Sequence, residues 1–347
     1  MLNHEHFMQM ALDLAAKGWP EVVPNPLVGC VIVQGNHVLA SGYHHGYGKA
    51  HAEVEAINAL PAAVSPSDCV LYVTLEPCSH FGKTPPCADL IIHKGFKKVV
   101  VACTDPNPMV AGRGLRKLEE AGIEIVQGVL EKEARFINRR FFCFHENKRP
   151  YISLKWAVTA DGFMSKRPLP QRPEENWISG REAKVLVHKL RSEVQAIMVG
   201  KVTVLNDNPN LTTRLIKGKN PIRVFIDKDL EVPSNFNIYS QQANTIVFNQ
   251  KMSAENEHIT YIKFDFERNV LGQIMDHLHT LQIQTLLVEG GAFLLNSLIE
   301  QNLWDEILVI ENPNLQFKAG IMAPQMPAGN VFDVLGTDKL YRYYRMK

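Results

Sequence analysis

After Cys143 the sequence contains no cysteine, so residues 144–347 hold neither a disulfide nor a thiolate metal site. The chain also lacks any apolar run approaching the roughly 20 residues of a membrane-spanning helix, and no membrane partner is expected. Neither sign of charge is in excess: 37 Lys and Arg stand against 36 Asp and Glu, a net charge of +1. That balance offers no electrostatic footprint for nucleic acid. Residues 1–10 (MLNHEHFMQM) have neither the basic start nor the apolar stretch of an export signal. The expected compartment is the cytoplasm, where clustered cysteines bind metal or catalyse more often than they cross-link. What remains is an ordinary globular composition, 46% hydrophobic and 21% charged, over 347 residues. At roughly 150 residues per domain, that length predicts two domains.

The first half alternates helical and strand periodicity. Helices are predicted over 4–17, 52–60, 87–94 and 115–121, strands over 28–33, 38–40, 70–75, 98–102 and 124–127, and a long polar-aromatic helix over 131–144. Residues 146–150 (ENKRP) read as a connector, which sets the domains at 1–146 and 147–347. Alternation then restarts, with strands over 151–158, 196–199, 222–226, 245–248, 285–288 and 306–310 and helices over 181–192, 270–281 and 292–300. Both domains are therefore of the α/β class.

The strongest chemical signal is His51-Ala52-Glu53 followed by Pro77-Cys78 and Cys87. One imidazole and two thiolates suit Zn²⁺, and three protein ligands leave a fourth tetrahedral position for water, as in a catalytic site. Glu53 is two residues, about 200° of helix rotation, from His51. It reaches the same centre only if the helix end points at the metal, where it serves as the proton shuttle of a deaminase. Cys30, Cys69, Cys103 and Cys143 lie among apolar residues and read as small buried hydrophobes.

HAE at 51–53, TLEPCSHFGKTPPC at 74–87, DPNPMVAGRG at 105–114, PNPLVGCVIV at 24–33 and GYHHGYGKAHAE at 42–53 resemble the deaminase half of the RibD family of bifunctional riboflavin-biosynthesis proteins. Eight residues separate the two cysteines, as in that family, rather than the two of cytidine or tRNA adenosine deaminases. The resemblance implies a cytidine-deaminase-like three-layer domain that removes an exocyclic amine from a small phosphorylated pyrimidine. It places Asn25 and His44 on the base and Lys83 and Asn107 near the ribose phosphate, and gives His80 no metal bond.

In the second domain Val288-Glu289-Gly290-Gly291 closes a strand and opens a helix, where glycines let backbone N–H groups approach a phosphate; it is not the dinucleotide fingerprint. YISLKWAVTADG at 151–162, WISG at 177–180, LRSEVQAIMVGKVTVLNDNPNLTTR at 190–214, PIRVFID at 221–227 and LLVEGGAFLLNSLI at 286–299 resemble the reductase half of the same family. That resemblance implies a dihydrofolate-reductase-like domain that uses NADPH to reduce the ribosyl chain to ribityl. It puts Ala157, Trp177, Thr203, Asp207, Gly291, Ala292, Phe293, Leu294, Leu295, Asn296 and Ser297 at the cofactor, and Arg191, Leu211, Arg214 and Glu289 at the substrate. Both arginines suit phosphate, and Lys155 and Asp207 are the candidates for proton delivery. The charged stretch 166–176 and the tail after Ile310 depart from the family pattern. A homo-oligomer is expected. A nucleic-acid deaminase with an accessory domain is disfavoured by charge and cysteine spacing, and a non-catalytic zinc protein would have no need of Glu53.

Overall fold

The computed structural model describes residues 3–79, 85–108, 111–170, 172–325 and 331–345. The chain divides into two compact units, Met1–Lys148 and Arg149–Lys347. Among the described residues no helix is long and apolar enough to cross a membrane.

In the first unit the order is α1 (His4–Ala16), β1 (Gly29–Gln34), β2 (His37–Tyr43), α2 (Ala52–Asn58), β3 (Val70–Val73), α3 (Cys87–Lys94), β4 (Lys98–Val101), α4 (Arg113–Glu120), β5 (Glu124–Gln127), α5 (Glu131–Ile137) and α6 (Arg139–Asn147). The strands form one sheet in the order β2-β1-β3-β4-β5. β1 is antiparallel to both neighbours, while β3, β4 and β5 run parallel. Strand alternation sorts the apolar side chains onto two faces. Cys30, Ile32, Leu71, Val73, Val99 and Val101 pack under α2, α3 and α4. Val31, Val33, Tyr72 and Val100 pack under α1, α5 and α6. This is a three-layer sandwich, with the amino ends of α2 and α3 brought to the end of β3.

The helix predicted over 131–144 is interrupted at Asn138. Its buried carboxamide accepts from Leu27 N–H at 2.7 Å and donates to Leu27 O at 2.8 Å. That two-way bond satisfies a buried backbone position 111 residues away, and helical periodicity in the sequence carries no trace of it. α6 also runs on to Asn147, which shortens the predicted connector. Cys30, Cys69, Cys103 and Cys143 are buried, and among the described residues none of them forms a disulfide.

The second unit runs β6 (Tyr151–Thr159), β7 (Phe163–Lys166), α7 (Arg181–Glu193), β8 (Ala196–Gly200), α8 (Lys201–Asp207), β9 (Ile222–Ile226), β10 (Thr245–Asn249), β11 (Ala254–Glu255), β12 (Ile259–Lys263), α9 (Val270–Thr280), β13 (Thr285–Glu289), α10 (Ala292–Glu300), β14 (Glu306–Asn312), β15 (Gly320–Met322), β16 (Asp333–Leu335) and β17 (Asp338–Tyr344). Ten strands form one sheet, β11-β12-β10-β9-β8-β13-β6-β14-β17-β16. From β12 through β14 every neighbouring pair is parallel. On β6, Ile152, Leu154, Trp156 and Val158 enter the main core with α9 and α10, whereas Ala157 packs on the face covered by α7. The two segments that depart from the family pattern meet where β7 pairs antiparallel with β15 and sets Lys166 opposite Gly320; within the first of them Asn176 accepts from Lys166 N–H at 2.8 Å.

Candidate functional site

His51 caps the amino end of α2 and Cys87 is the first residue of α3. Cys78 follows the end of β3. His51 Nδ1 lies 3.3 Å from Cys87 Sγ and 3.6 Å from Cys78 Sγ, and all three ligand atoms lie within 4.8 Å of one another. Two ligands on a tetrahedral zinc stand roughly 3.6 Å apart by the usual bond lengths, so donor set and spacing both fit that ion. Cys87 N–H donates to Cys78 Sγ at 3.3 Å. Hydrogen bonding from Cys87, joined by His51 and opposed by burial, brings the Cys78 thiol down to about 4. The same contact, with burial and the Glu53 charge, pushes the Cys87 thiol up. Metal binding takes the deprotonated thiolates, so a divalent cation displaces protons from this pair.

Glu53 stands at the second position of α2, is 3% exposed and interacts with Cys87. Burial, reinforced by the Cys78 charge, lifts its carboxyl to about 7. His51 is the N-cap residue, with extended rather than helical backbone, so the rotation of about 200° that two helical residues would impose does not apply between it and Glu53. His44 packs edge-on against His51 with ring centroids 5.6 Å apart. Its Nδ1 is 2.9 Å from Ala50 O, which can only accept, so Nδ1 carries the proton. Nε2 then accepts from Asn25 Nδ2 at 3.0 Å, and burial holds the ring's pKa below the ordinary histidine value. Asn107 lies on the turn after β4, its N–H donating to Asp105 Oδ1 at 2.7 Å. Lys83 and His80 lie outside the described residues.

In the second unit, parallel register sets Lys155 beside Glu289, with Nζ 3.7 Å from Oε2. From α7, Arg191 donates to Glu289 through Nε at 2.7 Å and Nη2 at 2.8 Å, and through Nη1 to Thr212 O at 3.2 Å. Burial alone would raise the Glu289 carboxyl, but the two cations outweigh it and bring it down to about 2. Arg191, expected on a phosphate, is thus engaged by the protein itself. Arg214 N–H donates to His188 Nδ1 at 2.8 Å, and burial together with Arg191 and Arg214 brings His188 down to about 4. Nothing in the helical pattern of residues 181–192 singles out His188.

Gly290 and Gly291, with φ of 102° and 81°, turn the chain from β13 into α10 beside α8. A Cβ on Gly291 would lie 3.2 Å from Thr203 Oγ1. Phe293 is 87% exposed, whereas Leu294 and Leu295 are core residues, so only their backbone can face a cofactor. Ser297 donates to Phe293 O at 2.9 Å. Asp207 is exposed at the end of α8, near the left-handed Asn208 and Leu211. Trp177 is exposed with Lys184 Nζ 3.5 Å from its ring centre.

The model of the cytidine and deoxycytidylate deaminase zinc-binding region matches residues 1–103, and that of the RibD C-terminal domain matches residues 150–316. Fold and site define a two-domain enzyme, a zinc-dependent deaminase followed by an NADPH-dependent reductase. The riboflavin biosynthesis protein RibD of Aquifex aeolicus is 41% identical over 90% of this chain and 87% of its own. That of Escherichia coli is 36% identical over 90% and 89%. A crystal structure of a diaminohydroxyphosphoribosylaminopyrimidine deaminase/5-amino-6-(5-phosphoribosylamino)uracil reductase from Thermotoga maritima superposes with a TM-score of 0.85 at 34% identity, covering 99% of both chains. The chain belongs to the RibD family of bifunctional riboflavin-biosynthesis enzymes.

Proposed function

We propose that the first unit deaminates 2,5-diamino-6-(5-phosphoribosylamino)pyrimidin-4-one, and that the second reduces the ribosyl chain of the product to ribityl. The observation that carries this reading is the group of His51, Cys78 and Cys87 with buried Glu53 against it; the activities printed for the Thermotoga maritima relative support it. In this reading the three residues hold zinc, which when bound brings the pKa of a water ligand towards ~7 and makes it a nucleophile at neutral pH. Glu53 accepts one proton of the attacking water and passes it to the ring nitrogen beside the amine-bearing carbon; as the carbonyl forms it takes the proton left on the added oxygen and delivers it to the amine, which leaves as ammonia. His44, fixed in one tautomer, turns Asn25 so that Oδ1 accepts from the base. The family resemblance assigns Lys83 and Asn107 to the ribose phosphate.

In the second unit NADPH, when bound, supplies hydride, and the protein supplies alignment and charge. Thr203, Asp207, the turn at Gly291 and the first turns of α10 cradle the cofactor, with Ala157 and Trp177 beside it. Arg214 takes the phosphate, because a guanidinium binds phosphate oxygens bidentately, while Arg191 holds Glu289 against the substrate with Leu211 alongside. Lys155 is the proton donor candidate closest to that carboxylate. The enzyme is read as cytoplasmic and as a homo-oligomer, which light scattering checks.

Turnover of the diaminopyrimidine with and without NADPH tests both halves. Ammonia should be released in either case, and the ribityl product should form only with NADPH. Ammonia release that required NADPH, or no NADPH oxidation on the supplied deaminated intermediate, would overturn the assignment.

A further inference from the structure

Glu76 stands between β3 and Cys78 in the TLEPC stretch and takes no part in the chemistry above. It is 4% exposed, and among the described residues its carboxylate accepts only from backbone N–H groups. Oε2 accepts from Asp105 N–H at 3.3 Å and Gly112 N–H at 2.9 Å. Oε1 accepts from Gly114 N–H at 2.8 Å and Leu115 N–H at 3.4 Å. A carboxylate offers about four lone-pair positions, and here each meets a donor. Oε2 thus spans two places, the turn after β4 that carries Asn107 and the cap of α4. Oε1 fills the orphan donors of the first turn of that helix, where a negative charge is also favoured by the helix dipole.

The backbone adds a second tie. Glu76 N–H donates to Cys103 O at 3.0 Å, and Asp105 Oδ1 in turn accepts from Asn107 N–H. Gly114 is pressed so close that an added Cβ would lie 2.0 Å from Pro77 O. α4 therefore abuts the segment leading directly to Cys78, and no side chain fits between them.

We propose that Glu76 is a positioning residue for deamination: it locks the Asp105–Asn107 turn to the strand end bearing Cys78, so that the metal ligand and the phosphate-facing turn keep one spacing. This rests on the reading above that Asn107 serves the substrate. Glu76 acts through the backbone of the turn, without touching substrate. A carboxamide in its place would turn an NH₂ group towards two N–H donors and open one side of the clamp.

The test is a double-mutant cycle on the full zinc-loaded chain, with ammonia release as the assay. Glu76→Gln should raise KM about tenfold or more, equal to ~1.4 kcal/mol, with kcat within about twofold and zinc content equal to that of the parent. Asn107→Ala should raise KM alike, and the double variant should fall short of the product of the two effects. Glu76→Asp, which keeps the charge, should recover part of the KM, and it carries the cycle should Glu76→Gln not fold. Unchanged KM in Glu76→Gln with raised KM in Asn107→Ala would overturn the clamp alone; unchanged KM in Asn107→Ala would overturn the clamp together with the role of that turn. Loss of zinc in the Glu76 variants, or effects that simply multiply, would also overturn it.

Discussion

Replacing Glu289 with glutamine tests the charge cluster of the reductase unit through stability. The carboxylate is buried between Arg191, which holds it with two hydrogen bonds, and Lys155. Its pKa falls from an ordinary 4.5 to about 2. At ~1.36 kcal/mol per pH unit that difference corresponds to about 3 kcal/mol of stability. Because the folded-state value is depressed, the contribution is complete above pH 4.5, shrinks as pH falls, and is gone below about 2. Glu289→Gln should therefore lower the stability of the second unit by about 3 kcal/mol at pH 7, consistent with the cost of stranding a buried cation. The gap from the parent should close progressively between pH 4.5 and the acid limit. Scanning calorimetry of the full chain measures it, with the relevant transition identified as the one NADPH raises. A double variant, Glu289→Gln with Arg191→Met, should regain part of the loss because one stranded cation is removed. A gap below about 1 kcal/mol at pH 7, or one that does not narrow in acid, would refute the reasoning.

Glu53→Gln should retain zinc while ammonia release falls by about 10² to 10⁴, the usual worth of a general acid–base group; turnover near the parent's would remove Glu53 from the mechanism. Stripping zinc with a chelator should abolish ammonia release and leave NADPH oxidation on the supplied deaminated intermediate intact, which a spectrophotometric assay reads directly. His188→Leu leaves Arg214 N–H without its acceptor and should raise the reductase KM for the phosphorylated intermediate about tenfold with little change in kcat. Asn138→Leu should destabilise the first unit by about 2 to 4 kcal/mol in urea unfolding, because Leu27 N–H and C=O both lose a buried partner.

The sandwich of the first unit was legible in sequence because strands buried on both faces read as apolar runs, and because Pro and Gly mark the helix ends. The zinc group was legible for a different reason: imidazole and thiolate carry their ligand chemistry in the side chain, whatever surrounds them. Asn138 was not legible, since an asparagine inside a helical pattern looks the same whether it faces water or another chain segment. The Arg191–Glu289 ion pair was not legible for a related reason. An arginine announces an affinity for oxyanions, but only the fold shows that a carboxylate of its own chain is already there.

By itself the sequence determined which chemistry was available: a His and two Cys with a carboxylate two residues on, in a first half rich in thiols, and a second half with none. Tertiary structure decided which groups act on one another. Lys155, Arg191 and Glu289 come from β6, α7 and β13, and Glu76 meets its donors on a turn and a helix 29 to 39 positions further along. The pairing of Lys155 with Glu289 depends on strand register, and in a pleated strand a slip of one residue would send either side chain to the opposite face.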